Sequence, residues 1–212
     1  MKIVFGGTFD PVHIGHLRMA NLLAEYFSVE EVAMMPCYMA VHKQGVGASS
    51  ECRLNMLSLA LENDRLLSLD RRECLRGKAS YTVDSLYELR RELGDESLCL
   101  AMGTDAANGL PSWYRADEFS GLTHLVIMSR SSLQSGERKM LTEKLELLGF
   151  SQATTLKELK TTAVGKFIYI DLPRLDISST YIRKRIKQGL SIRYPVTDAV
   201  SAYICDNALY QN

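Results

Sequence analysis

The chain has 212 residues, 46% of them hydrophobic, with 25 basic and 25 acidic side chains and a formal charge of +0. That balance excludes a general electrostatic pull toward nucleic acid or an anionic membrane, so any phosphate site must be local. The five cysteines, Cys37, Cys52, Cys74, Cys99 and Cys205, are odd in number and form no C-x-x-C pair, so they indicate neither a disulfide framework nor a zinc site and point to reduced thiols in a cytoplasmic protein.

From the amino terminus, Ile3, Val4 and Phe5 predict a buried strand that breaks at Gly6-Gly7, where the backbone can turn sharply. This apolar run is too short for a secretory segment, and no run of 18 apolar residues predicts a membrane span. From Gly15 onward Leu17, Ala20, Leu23, Ala24 and Phe27 recur at helical spacing. Strand, turn and helix N-terminus therefore meet within residues 6–16, where open N–H groups and the positive end of the helix dipole make an anion site. His13 and His16 stand at that mouth, either as phosphate donors or as a metal pair. Asp10 is the carboxylate beside them, and its neighbour Pro11 favours a turn role. The phosphate alternative requires a second cationic cluster elsewhere in the chain.

Short aliphatic runs at 32–35, 66–69, 98–102, 125–128 and 167–170 predict further strands. Helical patterns lie between them: residues 51–61 carry Leu54, Leu57, Leu59 and Leu61, and residues 83–93 carry Val83, Leu86, Leu89 and Leu93, with Ser80 or Thr82 as a cap. This alternation predicts an α/β fold, a Rossmann-like parallel sheet with helices on both faces and a C-terminal helical segment. Residues 131–163 read as a variable insertion with an inner helix at about 137–148. Pro195 is expected to open a last helix running through Ile204. A single domain over 1–212 follows, with a helical C-terminal part from about 178 and a length sufficient for a full core.

In such sheets ligands lie beyond the strand C-termini, so the loops 6–16, 36–50, 71–82, 103–118 and 171–180 are where chemistry is sought. The last of these supplies the second cationic cluster. Ser178, Ser179 and Thr180 start a helix with Arg183 one turn in, so hydroxyls, N–H groups and a guanidinium can reach one anion; a plain N-cap with a solvated basic face is the alternative. Gly103-Thr104-Asp105 puts a carboxylate at a strand end, suited to sugar hydroxyls or to an ordinary turn. Trp113, the single tryptophan, follows Pro111 and offers a flat ring for stacking, or an anchor for a long loop.

Gly6 to His16, ending His13-Ile14-Gly15-His16, resembles the HxGH signature of the nucleotidyltransferase superfamily, and its eleven-residue form GGTFDPVHIGH resembles the bacterial nicotinate-nucleotide adenylyltransferases. The run ISSTYIR over 177–183 resembles the second signature of that superfamily. The resemblance implies adenylyl transfer from ATP to nicotinate mononucleotide, giving nicotinate adenine dinucleotide and pyrophosphate in NAD biosynthesis. It implies catalytic roles for His13, His16, Lys43 and Arg183. ATP contacts are implied for Gly6, Gly7, Thr8, Phe9, His16, Gly103, Asp105, Ile177, Ser178, Ser179, Thr180 and Arg183. Mononucleotide contacts are implied for Thr8, Lys43, Tyr81, Thr82, Trp113 and Tyr114. Mg2+ is implied as delivered with ATP, with no metal site of the chain's own, and the partners are these small substrates rather than nucleic acid or membrane.

The family's P-N-x-x-P-P-H-K loop reads Pro36-Cys37-Tyr38-Met39-Ala40-Val41-His42-Lys43 here, so two φ-fixing prolines are replaced. Other HxGH transferases, such as a pantetheine-phosphate adenylyltransferase or a cytidylyltransferase, are alternatives opposed by Tyr81-Thr82 and Trp113-Tyr114. A non-catalytic nucleotide sensor is opposed by the intact His13, His16, Lys43 and Arg183.

Overall fold

A computed structural model describes residues 1–39, 47–129, 135–173 and 175–211. Seven strands, β1 (Lys2–Gly7), β2 (Val32–Pro36), β3 (Leu67–Leu69), β4 (Leu98–Gly103), β5 (His124–Ser129), β6 (Ser151–Gln152) and β7 (Lys166–Asp171), form one parallel sheet in the order β3-β2-β1-β4-β5-β7-β6. This is the Rossmann-like α/β sheet that the alternation of patterns predicts. All five residues of β2 and all six of β5 are buried, the near-continuous apolar run expected of a parallel strand covered on both faces. The edge strand β6, in register with β7 at Ser151 and Lys166, has no sequence signature because it is only 2 residues long and exposed.

The chain divides into two compact units, Met1–Gly6 with Tyr81–Arg174, and Gly7–Ser80 with Leu175–Asn212. In the first unit β4, β5, β6 and β7 are accompanied by α4 (Thr82–Leu93), α5 (Thr104–Gly109), α6 (Ser135–Leu147) and α7 (Leu156–Thr161). Leu86, Leu89, Phe119, Leu125, Ile127 and Phe167 form its core. The polar-looking stretch after β5 adds Leu141, Leu145, Phe150 and Leu159 to that core while its charged faces stay outside. His124 is fully enclosed there: its Nδ1 accepts from the Lys166 N–H at 3.0 Å and its Nε2 lies 2.9 Å from the Thr162 carbonyl. That pairing requires the neutral Nε2–H tautomer, and burial pushes the imidazole pKa down.

In the second unit α1 (Ile14–Phe27) buries the predicted stripe Leu17, Ala20, Leu23, Ala24 and Phe27. Three local expectations are corrected. The buried stripe of α2 (Ser50–Leu61) is Arg53, Met56, Leu57 and Leu61 rather than the four leucines, because an enclosed arginine holds the first turn of the face. The helix α9 (Asp198–Asp206) is capped by Thr197, whose hydroxyl accepts from the Val200 N–H at 3.3 Å; Pro195 lies outside it and its carbonyl accepts from Ile14 N at 2.9 Å. Ser80 does not cap α4, since its hydroxyl accepts from Tyr38 N at 2.8 Å, and neither it nor Thr82 occupies the N-cap position, which Tyr81 takes. The second unit is completed by α3 (Arg72–Arg76) and α8 (Ser179–Lys187).

Candidate active site

The loop over residues 6–16 belongs, from Gly7 on, to the second unit. A Cβ on Gly7 would come within 2.7 Å of the Phe9 ring, so glycine is what lets that ring fold back over the end of β1. Phe9 itself sits at φ 49, a left-handed conformation that costs an L-residue with a side chain about 1–2 kcal/mol. Burial of its ring, 2% exposed, and an edge-on contact with His16 at 5.1 Å between centroids offset that cost. Strain held in place by packing at a loop of this kind is a mark of a functional site.

His13 is the N-cap residue of α1, with extended φ and ψ of −147 and 166, and its carbonyl accepts from the His16 and Leu17 N–H groups. Its imidazole lies flat on that of His16, 3.6 Å between centroids and 24° between planes. Gly15 makes this possible, because a Cβ there would stand 3.0 Å from His13 Nδ1. The H-x-G-H spacing thus places two imidazoles one helical turn apart on the opening of α1, over a glycine that leaves room for the first of them.

The second signature forms the opening of α8, and three contacts tie it to Asp10 and Pro11 of the first loop. Ser178 is the N-cap, its Oγ accepting from Tyr181 N at 3.1 Å. Ser179 Oγ donates to the Pro11 carbonyl at 2.9 Å. Arg183 Nη1 donates to the Asp10 carbonyl at 2.7 Å and lies 3.5 Å from Asp10 Oδ2, and its Nη2 reaches Thr180 Oγ1 at 3.4 Å. The structure therefore brings His13, His16, Ser178, Ser179, Thr180 and Arg183 together around residues 8–13. The Ser179 proton is used on Pro11, whereas Ser178, which accepts at its cap, keeps its own proton to donate. Lys43 and His42 lie outside the described residues.

Asp10 lies in the expected turn with Pro11 and is also a buried hub. Its Oδ2 accepts from Gly47 N at 2.8 Å, and its Oδ1 accepts from Ala48 N at 3.1 Å and from the Tyr210 hydroxyl at 2.8 Å. Burial, followed by the adjacent Asp10 charge, raises the Tyr210 phenol well above its ordinary value, so it stays a donor. Local sequence signals nothing of this, because the partners are 37 to 200 residues away along the chain.

The remaining predicted residues belong to the first unit, apart from Ile177, which stands just before the α8 cap. Gly103 ends β4 and caps α5, and Asp105 is exposed in the first turn of that helix. Tyr81 is the N-cap of α4, Thr82 begins it, and the Tyr81 ring lies 4.6 Å from that of Tyr114. Trp113 is half-buried and packs edge-on against the enclosed Phe119 at 6.0 Å, so it anchors its loop and still presents part of its ring. Three further residues, legible only in three dimensions, staple this loop to α4. Arg115, at φ 55, donates twice to Glu118 at 2.6 Å, and Glu118 accepts from the Tyr87 hydroxyl of α4 at 2.6 Å. The Arg115 hydrogen bonds hold the Glu118 carboxyl below its ordinary range.

Residues 4–185 match the cytidylyltransferase-like family. A Cellvibrio japonicus protein named "probable nicotinate-nucleotide adenylyltransferase" is 41% identical over 209 residues, covering 98% of this chain and 97% of its own. A Marinobacter nauticus protein of the same name is 38% identical over 211 residues, covering 99% and 96%. Among solved structures, a Plasmodium falciparum nicotinic acid mononucleotide adenylyltransferase complexed with NaAD shares the fold, with a TM-score of 0.73 and 18% identity over 99% of this chain and 98% of that one. The chain belongs to the cytidylyltransferase-like family of nucleotidyltransferases, and its relatives place it with the nicotinate-nucleotide adenylyltransferases of that family.

Proposed function

We propose that this chain transfers the adenylyl group of ATP to nicotinate mononucleotide, giving nicotinate adenine dinucleotide and pyrophosphate in NAD biosynthesis. One observation carries the reading: within a single unit two helix N-termini, α1 with its stacked histidines and α8 with Arg183, are bonded to the same loop. Two dipole ends and a guanidinium around one loop form a site for a polyphosphate.

A 5′-phosphate oxygen of the mononucleotide attacks the α-phosphorus of ATP in line. The bond from that phosphorus to the bridging oxygen breaks, and its electron pair leaves with pyrophosphate, so no protein nucleophile is required. The work of the protein is positioning and stabilising charge on the phosphoryl oxygens. His13 and His16 donate to those oxygens, Arg183 and the N–H groups of Gly7, Thr8 and Phe9 hold the triphosphate, and Lys43 neutralises it. Ser178 and Thr180 offer hydroxyl donors beside Ile177, and Ser179 fastens α8 to Pro11. Gly103 and Asp105 serve the ATP ribose, while Tyr81, Thr82, Trp113 and Tyr114 serve the pyridine and its carboxylate, with Thr8 and Lys43 on the phosphate of the same mononucleotide.

Nucleotidyltransferases generally use a divalent metal with ATP. Among the described residues no three His, Cys, Asp or Glu side chains converge to hold a metal ion, and the Asp10 carboxylate is taken up by Gly47, Ala48 and Tyr210. These donors fit a metal that enters as part of the nucleotide, and Mg2+ is the proposed ion. Residues 1–212 are proposed to act as one nucleotidyltransferase domain. A cytoplasmic location is proposed from the five free thiols; no helix among the described residues is long and apolar enough to cross a membrane.

The test is pyrophosphate release with ATP and either nicotinate or nicotinamide mononucleotide. Turnover with the acid is expected to exceed that with the amide. His16→Ala is expected to unfold at the same temperature as the parent and to lose 10²-fold or more in kcat, about the range for one transition-state donor. A folded His16→Ala variant at parental turnover would end this assignment.

A further inference from the structure

The bulkiest fully enclosed side chain among the described residues is not apolar: it is Arg53, on the first turn of α2 and 1% exposed. Its guanidinium holds backbone carbonyls. Nη1 donates to Thr8 O at 2.8 Å and to Cys37 O at 2.7 Å, Nη2 donates to Tyr38 O at 2.7 Å, and Nε reaches Ala48 O at 3.4 Å. Three backbone segments, at 8, at 37–38 and at 48, are thereby fastened to one planar group. Asp10 grips the last of these segments from the amide side, through Gly47 N and Ala48 N, and Cys37 N donates to Gly7 O at 3.0 Å.

The bond to Thr8 has a directional consequence. A trans peptide is planar, and its C=O and N–H point in opposite directions. Drawing the Thr8 carbonyl down onto the buried guanidinium turns the Phe9 N–H the other way, out of the core. The peptide cannot easily settle into another orientation, because the next residue is held at φ 49 by the packing of its ring. A lysine in place of Arg53 would keep the charge but not the fork, since one ammonium cannot span carbonyls on three segments with fixed directions.

We propose that Arg53 is a positioning residue for adenylyl transfer. It sets the orientation of the Thr8–Phe9 peptide so that the phosphate loop presents its N–H groups to the nucleotide, and it does so without touching substrate. This rests on the phosphate-site reading above.

The experiment compares the parent protein with Arg53→Lys and Arg53→Ala in three measurements: thermal unfolding, ATP binding by calorimetry, and steady-state pyrophosphate release normalised to the folded fraction. For folded Arg53→Lys, kcat is expected to fall about 10- to 100-fold, the scale of a misplacement near 1 Å, with the KM for nicotinate mononucleotide changed less than about threefold. Low millimolar guanidinium chloride is expected to restore part of the kcat of Arg53→Ala and to leave the parent and Arg53→Lys unmoved, a response that a merely structural role would not produce. Folded Arg53→Lys with parental kcat and parental ATP affinity would overturn the proposal, whatever Arg53→Ala does. So would a folded Arg53→Ala whose lost turnover is indifferent to guanidinium. If the parent itself released no pyrophosphate, the functional reading would fail separately. The positioning role would then be judged by ATP affinity alone, with a tenfold weakening in Arg53→Lys expected and no weakening refuting it.

Discussion

Tyr210 lies almost at the carboxyl terminus, yet its hydroxyl completes the hub that holds Arg183. Replacing it by phenylalanine removes one oxygen, leaves the ring in place and makes no cavity. What is lost is a 2.8 Å hydrogen bond to a buried carboxylate, and bonds to charged groups contribute about 1.5–3 kcal/mol. Asp10 Oδ1 keeps its bond from Ala48 N, so a loss of about 2 kcal/mol at pH 7 is expected, or about 4–8 °C in Tm for a chain of this size. The pH dependence is the sharper signature. The folded phenol titrates above its unfolded value of about 10, so its contribution is complete below pH 10 and is lost as pH rises beyond it, when the unfolded chain releases a proton that the native state retains. The wild type then loses about 1.4 kcal/mol per pH unit relative to Tyr210→Phe, and the gap closes near pH 11.5. Other tyrosines titrate in both proteins and cancel. Urea unfolding of both from pH 7 to 11.5 measures this directly. Equal stability at pH 7, or a gap that stays constant up to the highest pH, would refute the hub.

His124 is expected to gain its proton only below pH 6.5, because burial lowers its folded pKa; its contribution is complete above about 6.5 and is lost as pH falls through the folded value. NMR titration reads this, and a ring that gains its proton at or above pH 6.5 would contradict the buried Nε2–H tautomer. Gly47→Ala is expected to destabilise by about 1–3 kcal/mol and to lower kcat, since the new methyl would sit 2.8 Å from the Tyr210 ring and 3.2 Å from Arg183 Cδ. Denaturant midpoints and pyrophosphate release at saturating substrate test both halves, and a variant with parental stability would show that this corner is loosely packed.

The local half of the molecule is legible in the chain. Short β-branched or aliphatic runs give six of the seven strands within one or two residues, because a parallel strand covered on both faces must be apolar throughout. The stripe of α1 is read without error, because a period of 3.6 residues is a property of the segment itself. The stripe of α2 is misread for the same reason: an arginine counts as polar in any periodic pattern, and only its carbonyl partners make its burial favourable. The two signatures are equally local, each placing its donors at a helix opening, with Gly15 leaving room for His13 and Ser178 satisfying the first turn of α8.

What the sequence by itself determined is the parallel α/β architecture and the two helix mouths whose residue types suit phosphate. Only the tertiary structure decided how those mouths are held: Asp10 by the amides of Gly47 and Ala48 and by Tyr210, Arg183 by the Asp10 carbonyl, Thr8 by Arg53, and Trp113 by Phe119. The physical reason is that periodicity and capping act over three or four residues and are written in neighbouring side chains. A buried carbonyl or carboxylate accepts from whichever donor the fold delivers, here from as far as 200 residues along the chain.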